Sequence, residues 1–351
     1  MLDSDRLLLS ATIDLAEQGR FTCAPNPTVG CIIVRDGEII GRGFHAIAGQ
    51  GHAEVQAIAD AKGDVAGATV YVSLEPCAFE GRTPACSQTL IDAQVARVVI
   101  AASDPHPQVS GQGVKMLEAA GIKVDTIELP EAHDLIAGYV QRITHGKPLV
   151  RIKTASSLDG AVALANGDSQ WITGDVARAD VQQLRARSDA IITGIGTVLA
   201  DDPQLTVRLD EECKQPIRVV LDRQGRMPGD CRLLADESPV LLVQEKPGSY
   251  PDHVTVLKQD PRDLDGLLSY LADAGCNEVL VEAGPAVVTS FVAQGLWQEW
   301  IAYIAPKVLG SATQSVTDLQ LDQLANAVHA VITEVTPIGA DLRLKLVPAS
   351  G

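Results

Sequence analysis

The chain of 351 residues is too long for one hydrophobic core, so two domains are expected. Its 46% hydrophobic and 21% charged residues are typical of a globular protein and exclude a largely disordered chain. The formal net charge of -17 argues against a protein whose main function is to bind the phosphate backbone of nucleic acid.

The N-terminal segment "MLDSDRLLLSATIDLAEQG" predicts an amphipathic helix and not a signal peptide. Its apolar residues recur at helical spacing, and Asp3 and Asp5 stand where a signal peptide would carry Lys or Arg. No stretch reaches about eighteen uninterrupted apolar residues, so no membrane partner is expected. The seven cysteines are an odd number, which fits reduced thiols in a cytoplasmic protein better than a disulfide framework.

The first half of the chain predicts strands that alternate with helices. "TVGCIIVRDGEIIGRGFH" is typical of a β-hairpin that turns at Asp36-Gly37. After the hairpin, the predicted helices are "HAEVQAIADAK", "PACSQTLIDA", "GVKMLEAAG" and "EAHDLIAGYVQRITHG", and the predicted strands are "ATVYVSL", "RVVIAA" and "IKVDTI". This order indicates a layered α/β domain, which we place at residues 1–146.

A second α/β domain is expected over residues 149–351, because Gly146-Lys147-Pro148 interrupts the first pattern. Its predicted strands are "LVRIKTASSLDG", "DAIITGIG", "IRVVLD", "VLLV", "EVLVEAG" and "EWIAYIAP". Helices are predicted near residues 175–187 and 262–274, and "PAVVTSFVA" is predicted to be helical as well.

One short segment of the first half combines residue types that bind metals. "GHAEVQAI" carries His52 and Glu54 at the predicted start of a helix. "LEPCAFEGRTPAC" carries Cys77 and Cys86, with Pro84 expected to open the next helix. Two helix N-termini can aim the imidazole and both thiols at one point and leave a fourth tetrahedral position for water. The segment therefore predicts a catalytic zinc site, in which Glu54 transfers a proton from water to a leaving amine.

Two alternatives remain open on these residues. His-x-Glu followed by Pro-Cys matches the signature of zinc deaminases that act on bases, so a deaminase for another base, for a nucleotide or for tRNA is the first alternative. Eight residues separate the two cysteines here, whereas that signature usually has two. The second alternative is a non-catalytic protein that zinc stabilises. Glu54 argues against it, since a structural zinc site usually has four protein ligands and no use for an adjacent base.

Motifs in both halves resemble the RibD family of bifunctional riboflavin-biosynthesis enzymes. They are "APNPTVGCIIV", "HAEVQAI", "EPCAFEGRTPAC" and "DPHPQVSGQG", followed by "KTASSLDG", "SQWITG", "LRARSDAIITGIGTVLADDPQLTVR", "VEAGP" and "YIAPKVLG". The resemblance implies a cytidine-deaminase-like α/β/α layered domain followed by a dihydrofolate-reductase-like α/β domain. The alternative is a second domain that binds a nucleotide without being a reductase.

The resemblance implies two consecutive reactions on a small phosphoribosylated pyrimidine. The first, zinc-dependent domain would deaminate 2,5-diamino-6-(5-phosphoribosylamino)pyrimidin-4(3H)-one to 5-amino-6-(5-phosphoribosylamino)uracil. The second domain would use NADPH to reduce the ribosyl group to a ribityl group. A homo-oligomer is also expected.

The residues that match the family by position form three groups. The deaminase substrate positions are Asn26, His45, Arg82 and Asp104. The reductase substrate positions are Ser169, Arg185, Leu205, Arg208 and Glu282. The NADPH positions are Lys153, Ala155, Trp171, Thr197, Asp201, Arg223, Gly284, Pro285, Ala286, Val287, Val288, Thr289 and Ser290.

The chemistry of these side chains suits the implied roles. Asn26 offers a donor and an acceptor to a pyrimidine edge, and the guanidinium groups of Arg82, Arg185 and Arg208 suit phosphate oxygens. On its residues alone, Arg185 is equally compatible with a solvated helix face. Phe79 departs from the family, which commonly has His at that position. Its ring is expected either to pack against the protein or to stack on the pyrimidine.

Overall fold

The computed structural model describes residues 2–79, 84–107, 109–164, 166–246, 248, 250–310 and 314–349. The chain divides into two units, Met1–Gly146 and Lys147–Gly351. Among the described residues, none of the helices combines the length and the apolar character needed to cross a membrane.

The first unit is built around a sheet of five strands in its described part. The strands are β1 (Gly30–Arg35), β2 (Glu38–Phe44), β3 (Thr69–Val72), β4 (Arg97–Ile100) and β5 (Lys123–Thr126). The helices are α1 (Leu2–Ala16), α2 (Ala53–Asp60), α3 (Cys86–Asp92), α4 (Gln112–Ala119), α5 (Pro130–Leu135) and α6 (Ala137–His145). Each predicted strand and helix of this half is confirmed, with the last predicted helix divided into α5 and α6 at Ile136.

The strands of the first unit lie in the order β2-β1-β3-β4-β5. β1 is antiparallel to β2 and β3, whereas β3, β4 and β5 are parallel to one another. The predicted hairpin is confirmed, and Asp36 and Gly37 at its turn have φ angles of 53° and 84°. Positive φ at both turn residues gives the backbone twist that a tight hairpin requires.

Helix α2 lies against strand β2 because two glycines leave room for its backbone. A Cβ atom at Gly41 would lie 2.3 Å from the carbonyl oxygen of Ala57. A Cβ atom at Gly43 would lie 2.3 Å from the nitrogen of Ala57 and 2.4 Å from the carbonyl oxygen of Ala53. Since real Cβ atoms do not approach backbone atoms so closely, only glycine allows this packing at either position.

The second unit contains a sheet of nine strands in the order β11-β10-β9-β8-β12-β6-β13-β16-β15, as far as the structure describes it. These strands are β6 (Leu149–Ser157), β8 (Ala190–Gly194), β9 (Ile217–Leu221), β10 (Val240–Val243), β11 (Val254–Leu257), β12 (Glu278–Val281), β13 (Glu299–Ala305), β15 (Ala330–Ile338) and β16 (Asp341–Pro348). Two short strands, β7 (Ala161–Ala163) and β14 (Gln314–Ser315), pair separately. The helices are α7 (Asp175–Ala186), α8 (Ile195–Asp201), α9 (Leu264–Asp273) and α10 (Pro285–Ala293).

Seven neighbouring strands of this sheet, β11-β10-β9-β8-β12-β6-β13, are parallel to one another. Their carboxyl ends therefore meet at one edge of the sheet. In open α/β sheets that edge is where ligands bind. The predicted strands of this half are confirmed, but the sequence patterns gave no strand after residue 305. There β16 pairs antiparallel with β13 and β15, and most side chains of β15 are exposed, so no buried apolar run marks these strands.

The amino ends of the same strands carry buried charges. Arg151 is 1% exposed and pairs with Glu278 at 2.9 Å and with Glu299 at 2.6 Å. Asp189 accepts hydrogen bonds from the backbone nitrogens of Asn277 at 2.7 Å and Glu278 at 3.0 Å. Burial raises the pKa of Asp189 to about 6, although these two hydrogen bonds favour its charged form.

Candidate active sites

Two helix N-termini bring the predicted metal ligands together in the first unit. His52 is the N-cap residue of α2, Cys86 is the first residue of α3, and Cys77 lies in the loop after β3. One ligand atom from each of the three lies within 4.8 Å of the others. Pro84 does not open α3 as expected, because Ala85 is the N-cap residue and Pro84 precedes it. The remaining geometry lets one ion contact the imidazole and both thiols.

The two thiols differ in their affinity for a proton. Cys77 Sγ accepts a hydrogen bond from the backbone nitrogen of Cys86 at 3.2 Å and lies 3.7 Å from Nδ1 of His52. The hydrogen bond from the Cys86 thiol is the main cause that lowers the pKa of Cys77, to about 4, and His52 contributes further. The same bond and burial raise the pKa of Cys86. A thiolate is therefore already favoured at Cys77, and thiolates are the form that binds metal.

Glu54 lies in the first turn of α2 and is 3% exposed. Burial is the main cause that raises the pKa of its carboxyl group, and the negative charge of Cys77 raises it further. A carboxyl group whose pKa is raised can accept a proton and release it again near neutral pH. Glu54 therefore has the environment that a proton-transfer group requires, directly beside the three ligand residues.

His45 and Asn26 form a hydrogen-bonded pair next to the ligand residues. The Nε2 atom of His45 lies 2.9 Å from the side-chain nitrogen of Asn26, and its Nδ1 atom lies 3.3 Å from the carbonyl oxygen of Gly51. Since the carbonyl can only accept, Nδ1 carries the proton and Nε2 accepts from Asn26. Burial lowers the pKa of His45, which agrees with a neutral ring. The ring also meets that of His52 edge to face at 5.2 Å.

Asp104, another predicted substrate residue, is 5% exposed after β4. Its Oδ1 atom accepts hydrogen bonds from the backbone nitrogen of His106 at 2.8 Å and from the hydroxyl of Tyr139 at 3.3 Å. Burial raises the pKa of Asp104. The family resemblance implied a role for Asp104 but none for Tyr139.

The loop between Cys77 and Cys86 is described only in part. Arg82, the predicted phosphate contact, lies outside the described residues. Phe79 is 40% exposed and stacks on His106, with ring centroids 5.7 Å apart and an interplanar angle of 28°. This contact shows packing against the protein, while stacking of Phe79 on a pyrimidine stays a prediction.

In the second unit, a carboxylate near the carboxyl edge of the sheet holds two cations. Glu282 follows β12, and both of its oxygens accept hydrogen bonds from Arg185 of α7 at 2.8 Å. Nζ of Lys153, on β6, lies 3.5 Å from the same carboxylate. Burial raises the pKa of Glu282, but Arg185 and Lys153 outweigh burial and lower it to about 2. The three residues are therefore a fixed charged cluster, and Arg185 is not a solvated helix residue.

Two further contacts join predicted substrate and cofactor positions. The backbone nitrogen of Gly284 donates to the hydroxyl of Thr197 at 3.1 Å, which ties the N-cap residue of α10 to α8. The hydroxyl of Ser169 lies 3.3 Å from a carboxylate oxygen of Asp201, at the end of α8. Four of the predicted positions thus form two contacting pairs.

The loop after α8 carries Leu205 and Arg208. Leu205 is buried with a φ angle of 54°, a conformation that non-glycine residues rarely adopt. Arg208 is exposed, and its backbone nitrogen donates to the side chain of Gln182 at 3.0 Å. Partial burial of its guanidinium is the first cause that lowers the pKa of Arg208, and the positive charges of Arg185 and Arg232 lower it further. These arginines form a cationic region that is suited to an anion.

Other predicted cofactor positions lie apart from these contacts. Trp171 is 63% exposed beneath the guanidinium of Arg178, which lies 4.5 Å from its ring centroid. Arg223 is exposed, and its Nε atom is 4.0 Å from a carboxylate oxygen of Glu245. Ala155 pairs with Tyr303 across the β6–β13 ladder.

The predicted run from Gly284 to Ser290 forms the N-cap and first turns of α10. Val288 is 1% exposed and packs in the hydrophobic core. Pro285, Val287, Thr289 and Ser290 are half-buried, and Ala286 is exposed. A ligand at this helix end would therefore meet the backbone of Gly284 and the exposed side of the first turn.

Glu75 is a buried residue that the sequence patterns did not indicate. It precedes Pro76 and Cys77, is 4% exposed, and accepts a hydrogen bond from the backbone nitrogen of Gly111 at 3.1 Å. Its place in "LEPC", two residues before a predicted metal ligand, was the one signal available.

Comparison with known proteins matches the two parts of the chain to two different families. Residues 2–102 match the family described as the cytidine and deoxycytidylate deaminase zinc-binding region. Residues 148–344 match the family described as the RibD C-terminal domain. These matches imply zinc for the first unit and a nucleotide cofactor for the second.

Full-length relatives agree with both matches. The riboflavin biosynthesis protein RibD of Escherichia coli is 44% identical, over 98% of this chain and all of that protein. A solved structure of Acinetobacter baumannii RibD is 41% identical and covers both chains fully, with a TM-score of 0.94. The structure of a Thermotoga maritima protein described as a diaminohydroxyphosphoribosylaminopyrimidine deaminase/5-amino-6-(5-phosphoribosylamino)uracil reductase is 34% identical, over 98% of this chain and 99% of that one, with a TM-score of 0.92.

The predicted fold class, a cytidine-deaminase-like domain followed by a dihydrofolate-reductase-like domain, is confirmed by these structures. The resemblance read from the sequence motifs is confirmed as well, and the chain belongs to the RibD family.

Proposed function

We propose that the protein catalyses two consecutive steps of riboflavin biosynthesis: deamination of 2,5-diamino-6-(5-phosphoribosylamino)pyrimidin-4(3H)-one and reduction of the ribosyl group of the product. The observation that carries the proposal is the set of three ligand atoms within 4.8 Å of one another beside the buried carboxyl group of Glu54. The near-complete match to a Thermotoga maritima deaminase/reductase supports the pairing of the two activities. We assign deamination to residues 1–146 and reduction to residues 149–351.

Zinc fits the ligand set of the first unit. His52, Cys77 and Cys86 would hold the ion, and one nitrogen with two sulfurs is a ligand set that favours zinc. Three protein ligands leave a position for water, as in catalytic zinc sites. When bound, zinc supplies a Lewis acid that makes water nucleophilic at neutral pH.

Glu54 is the proposed acid and base of deamination. Its carboxylate accepts a proton from the attacking water and then donates that proton to the departing amine, so that ammonia leaves. The raised pKa of Glu54, caused mainly by burial, makes its carboxylate a stronger base and so favours the first of these transfers.

The pyrimidine is proposed to bind beside Glu54 through Asn26 and Asp104. Since the Asn26 nitrogen donates to His45, its carbonyl oxygen is oriented to accept from an N–H of the pyrimidine. Asp104 provides a second acceptor, and Arg82 is proposed to bind the phosphate. Phe79, which stacks on His106, is proposed to lie at one side of this region.

NADPH is proposed to bind at the carboxyl edge of the second sheet. Thr197, Gly284 and the first turn of α10 would contact it, with Asp201, Trp171, Ala155 and Arg223 at further positions along the cofactor. NADPH supplies the hydride that reduces the sugar carbon. The hydrogen bond from Gly284 to Thr197 supports a cofactor contact that involves both residues.

The charged cluster is proposed to act on the ribose. Glu282 holds the ammonium of Lys153 in place, and this ammonium can stabilise negative charge that develops on a sugar oxygen as the ring opens. The guanidinium of Arg185 is already hydrogen-bonded to Glu282. The exposed guanidinium of Arg208 is therefore the more available of the two to bind the substrate phosphate. Ser169 and Leu205 complete the proposed substrate contacts.

The protein is also proposed to be a cytoplasmic homo-oligomer. β15 lies at one end of the nine-stranded sheet, and its side chains Val331, Ile332 and Val335 are 49%, 53% and 57% exposed. Edge strands with exposed apolar side chains favour association with a second chain. We propose no nucleic-acid or membrane partner, in keeping with the net charge of -17. Light scattering of the purified protein tests the association.

The test of the two activities is a metal assay combined with mass analysis of the reaction products. The diaminopyrimidine ribotide is supplied with and without NADPH. We expect about one zinc per chain, a deaminated product without NADPH, and a product two hydrogens heavier with it. A protein that holds zinc but turns over only another base would support the alternative deaminase, and a protein without zinc would overturn the proposal.

A further inference from the structure

The carboxylate of Asp104 has one oxygen committed to the protein. Oδ1 accepts from the backbone nitrogen of His106 at 2.8 Å and from the Tyr139 hydroxyl at 3.3 Å. Both of these bonds fall on Oδ1, and no described residue donates a hydrogen bond to Oδ2. A carboxylate oxygen has lone pairs for more than one donor, so Oδ2 is suited to accept a hydrogen bond from a ligand.

The backbone around Asp104 is held by the buried carboxylate of Glu75. Oε2 of Glu75 accepts from the backbone nitrogens of Gly111 at 3.1 Å and Asp104 at 3.4 Å, and Oε1 accepts from that of Val114 at 3.4 Å. These three amides lie at both ends of the segment that joins β4 to α4. Because a carboxylate offers several lone pairs in one plane, Glu75 can fix both ends at once.

The Glu75 segment also packs closely against α4. A Cβ atom at Gly113 would lie 2.1 Å from the carbonyl oxygen of Pro76 and 3.3 Å from Oε1 of Glu75. The strand end that leads to Cys77 and the helix that follows the Asp104 segment are therefore in direct backbone contact. This contact connects the loop of a proposed metal ligand to the loop of a proposed substrate contact.

Tyr139 approaches Asp104 from helix α6. It is 8% exposed, and its ring lies 5.9 Å from the guanidinium of Arg142, which donates to the carbonyl oxygen of Pro25 at 2.9 Å. Pro25 precedes Asn26, so one face of α6 contacts both substrate-binding segments. The two segments are thereby held relative to a single rigid element.

We propose that Glu75 and Tyr139 are positioning residues for deamination. Glu75 fixes the backbone at Asp104, and Tyr139 occupies Oδ1, so that Oδ2 is presented to an N–H or O–H donor of the substrate. The inference rests on the proposed function, since it takes Asp104 as a substrate contact. A preorganised acceptor improves binding because the free protein has already met the cost of ordering it.

A matched control exists in the same unit. The hydroxyl of Tyr71, on β3, donates to Oδ1 of Asp5 at 2.7 Å, and both residues are buried. Neither residue has a place in the proposed site. Tyr71→Phe therefore removes the same kind of hydrogen bond as Tyr139→Phe, and any general loss of stability will appear in both variants.

The experiment compares Y139F and Y71F in the full chain by steady-state deamination kinetics. Zinc content and reduction of supplied 5-amino-6-(5-phosphoribosylamino)uracil serve as internal readouts of folding. For Y139F we expect KM to rise about five-fold with little change in kcat, as removal of one hydrogen bond predicts. For Y71F we expect an unchanged KM. Equal KM changes in both variants, or an unchanged KM in Y139F, would overturn the role of Tyr139.

Glu75→Gln tests the second positioning residue. It places an amide nitrogen against backbone donors, so we expect kcat/KM for deamination to fall roughly ten- to hundred-fold with zinc and reduction retained. A wild-type kcat/KM would overturn the role of Glu75. If E75Q does not fold, the more conservative substitution Glu75→Asp, which keeps the charge, replaces it. The same measurements of kcat/KM, zinc content and reduction then test the role of Glu75.

Asp104→Asn separates failure of this inference from failure of the proposed function. If the unmodified protein does not deaminate the ribotide, the proposed function is wrong. If it does, and D104N has an unchanged KM, Asp104 is not a substrate contact and the positioning roles are overturned while the function stands.

Discussion

The two sites of this protein differ in how the chain assembles them. The proposed metal ligands and Glu54 come from one stretch, residues 52–86, and lie at the ends of two helices. The charged cluster of the second unit unites Lys153, Arg185 and Glu282, which are far apart in sequence and meet at the edge of a parallel sheet. A site built from residues that are close in sequence can be recognised as a motif. A site built from residues that only the fold brings together appears in the sequence as isolated charged residues.

The difference also affects how each site should respond to substitution. In the proposed first site three ligands share one ion, so loss of one ligand should remove the whole centre. The second site is held by buried ion pairs within the protein, so loss of one partner leaves an uncompensated charge. Each unit can be assayed separately, since each reaction has its own substrate, and the unaffected activity controls for folding.

The largest effect is expected for Cys86→Ser. Loss of one sulfur ligand should abolish zinc binding and lower the deamination rate by at least about a thousand-fold. NADPH-dependent reduction should stay within about two-fold of wild type if the two units work independently. Metal analysis with separate deaminase and reductase assays measures these effects. Retained zinc and deamination would remove Cys86 from the ligand set.

Glu54→Gln separates metal binding from proton transfer. We expect zinc to be retained and the kcat of deamination to fall about a hundred- to ten-thousand-fold, because the amide cannot carry the proton. The measurement is kcat alongside the zinc content of the same sample. Deamination at the normal rate would show that another group transfers the proton.

Glu282→Gln tests the charged cluster of the second unit. Since Arg185 and Lys153 would lose their common carboxylate, we expect about 3 kcal/mol lower stability of this unit and a loss of reduction. Deamination and zinc content should not change. Chemical denaturation combined with both assays measures the effect, and unchanged reduction would exclude a role for the cluster in the reaction.

Asp189 gives the second unit a predicted pH dependence. Its folded-state pKa is about 6 and its ordinary value is 3.8, so the folded state binds the proton more tightly. This contribution to stability is fully present below about pH 4 and is lost as the pH rises through about 6. The difference between these two pKa values corresponds to about 3 kcal/mol. Asp189→Asn should therefore remove this pH dependence, as denaturation at pH 5 and pH 8 would measure, and an unchanged pH dependence would contradict the assignment.

The smallest effect is expected for Phe79→His. Phe79 contacts His106 and is 40% exposed, so its replacement should leave stability within about 0.5 kcal/mol. If the ring stacks on the pyrimidine, KM for deamination should rise about three-fold. An unchanged KM would assign Phe79 to packing against His106 alone.

Local patterns were sufficient for most of the fold and for the core of one site. The Asp36-Gly37 hairpin, the buried strands and the helix start at His52 follow from turn chemistry, hydrophobic runs and short-range spacing, whereas α3 begins two residues after the predicted Pro84. β15 was missed because its side chains are largely exposed, and β16 because its apolar residues alternate with charged ones and form no continuous run.

Groups that act through distant contacts could not be read from the sequence. Tyr139 meets Asp104 across 35 positions, and Glu75 meets Gly111 across 36 positions. Arg185 was expected to bind phosphate, but its contact with Glu282 depends on how α7 packs beside β12. These partners are set by tertiary packing, on which residue spacing carries no information.

The glycines of β2 limit how the deaminase site can be altered. Gly41 and Gly43 place the backbone of α2 directly on β2, so neither position has a side chain to trim, and any larger residue there would collide with the helix backbone. The height of Glu54 above the strands is consequently a property of the main chain. A search for variants with a new base preference should therefore randomise the loops at Asn26 and Asp104 and leave the contact between β2 and α2 unchanged.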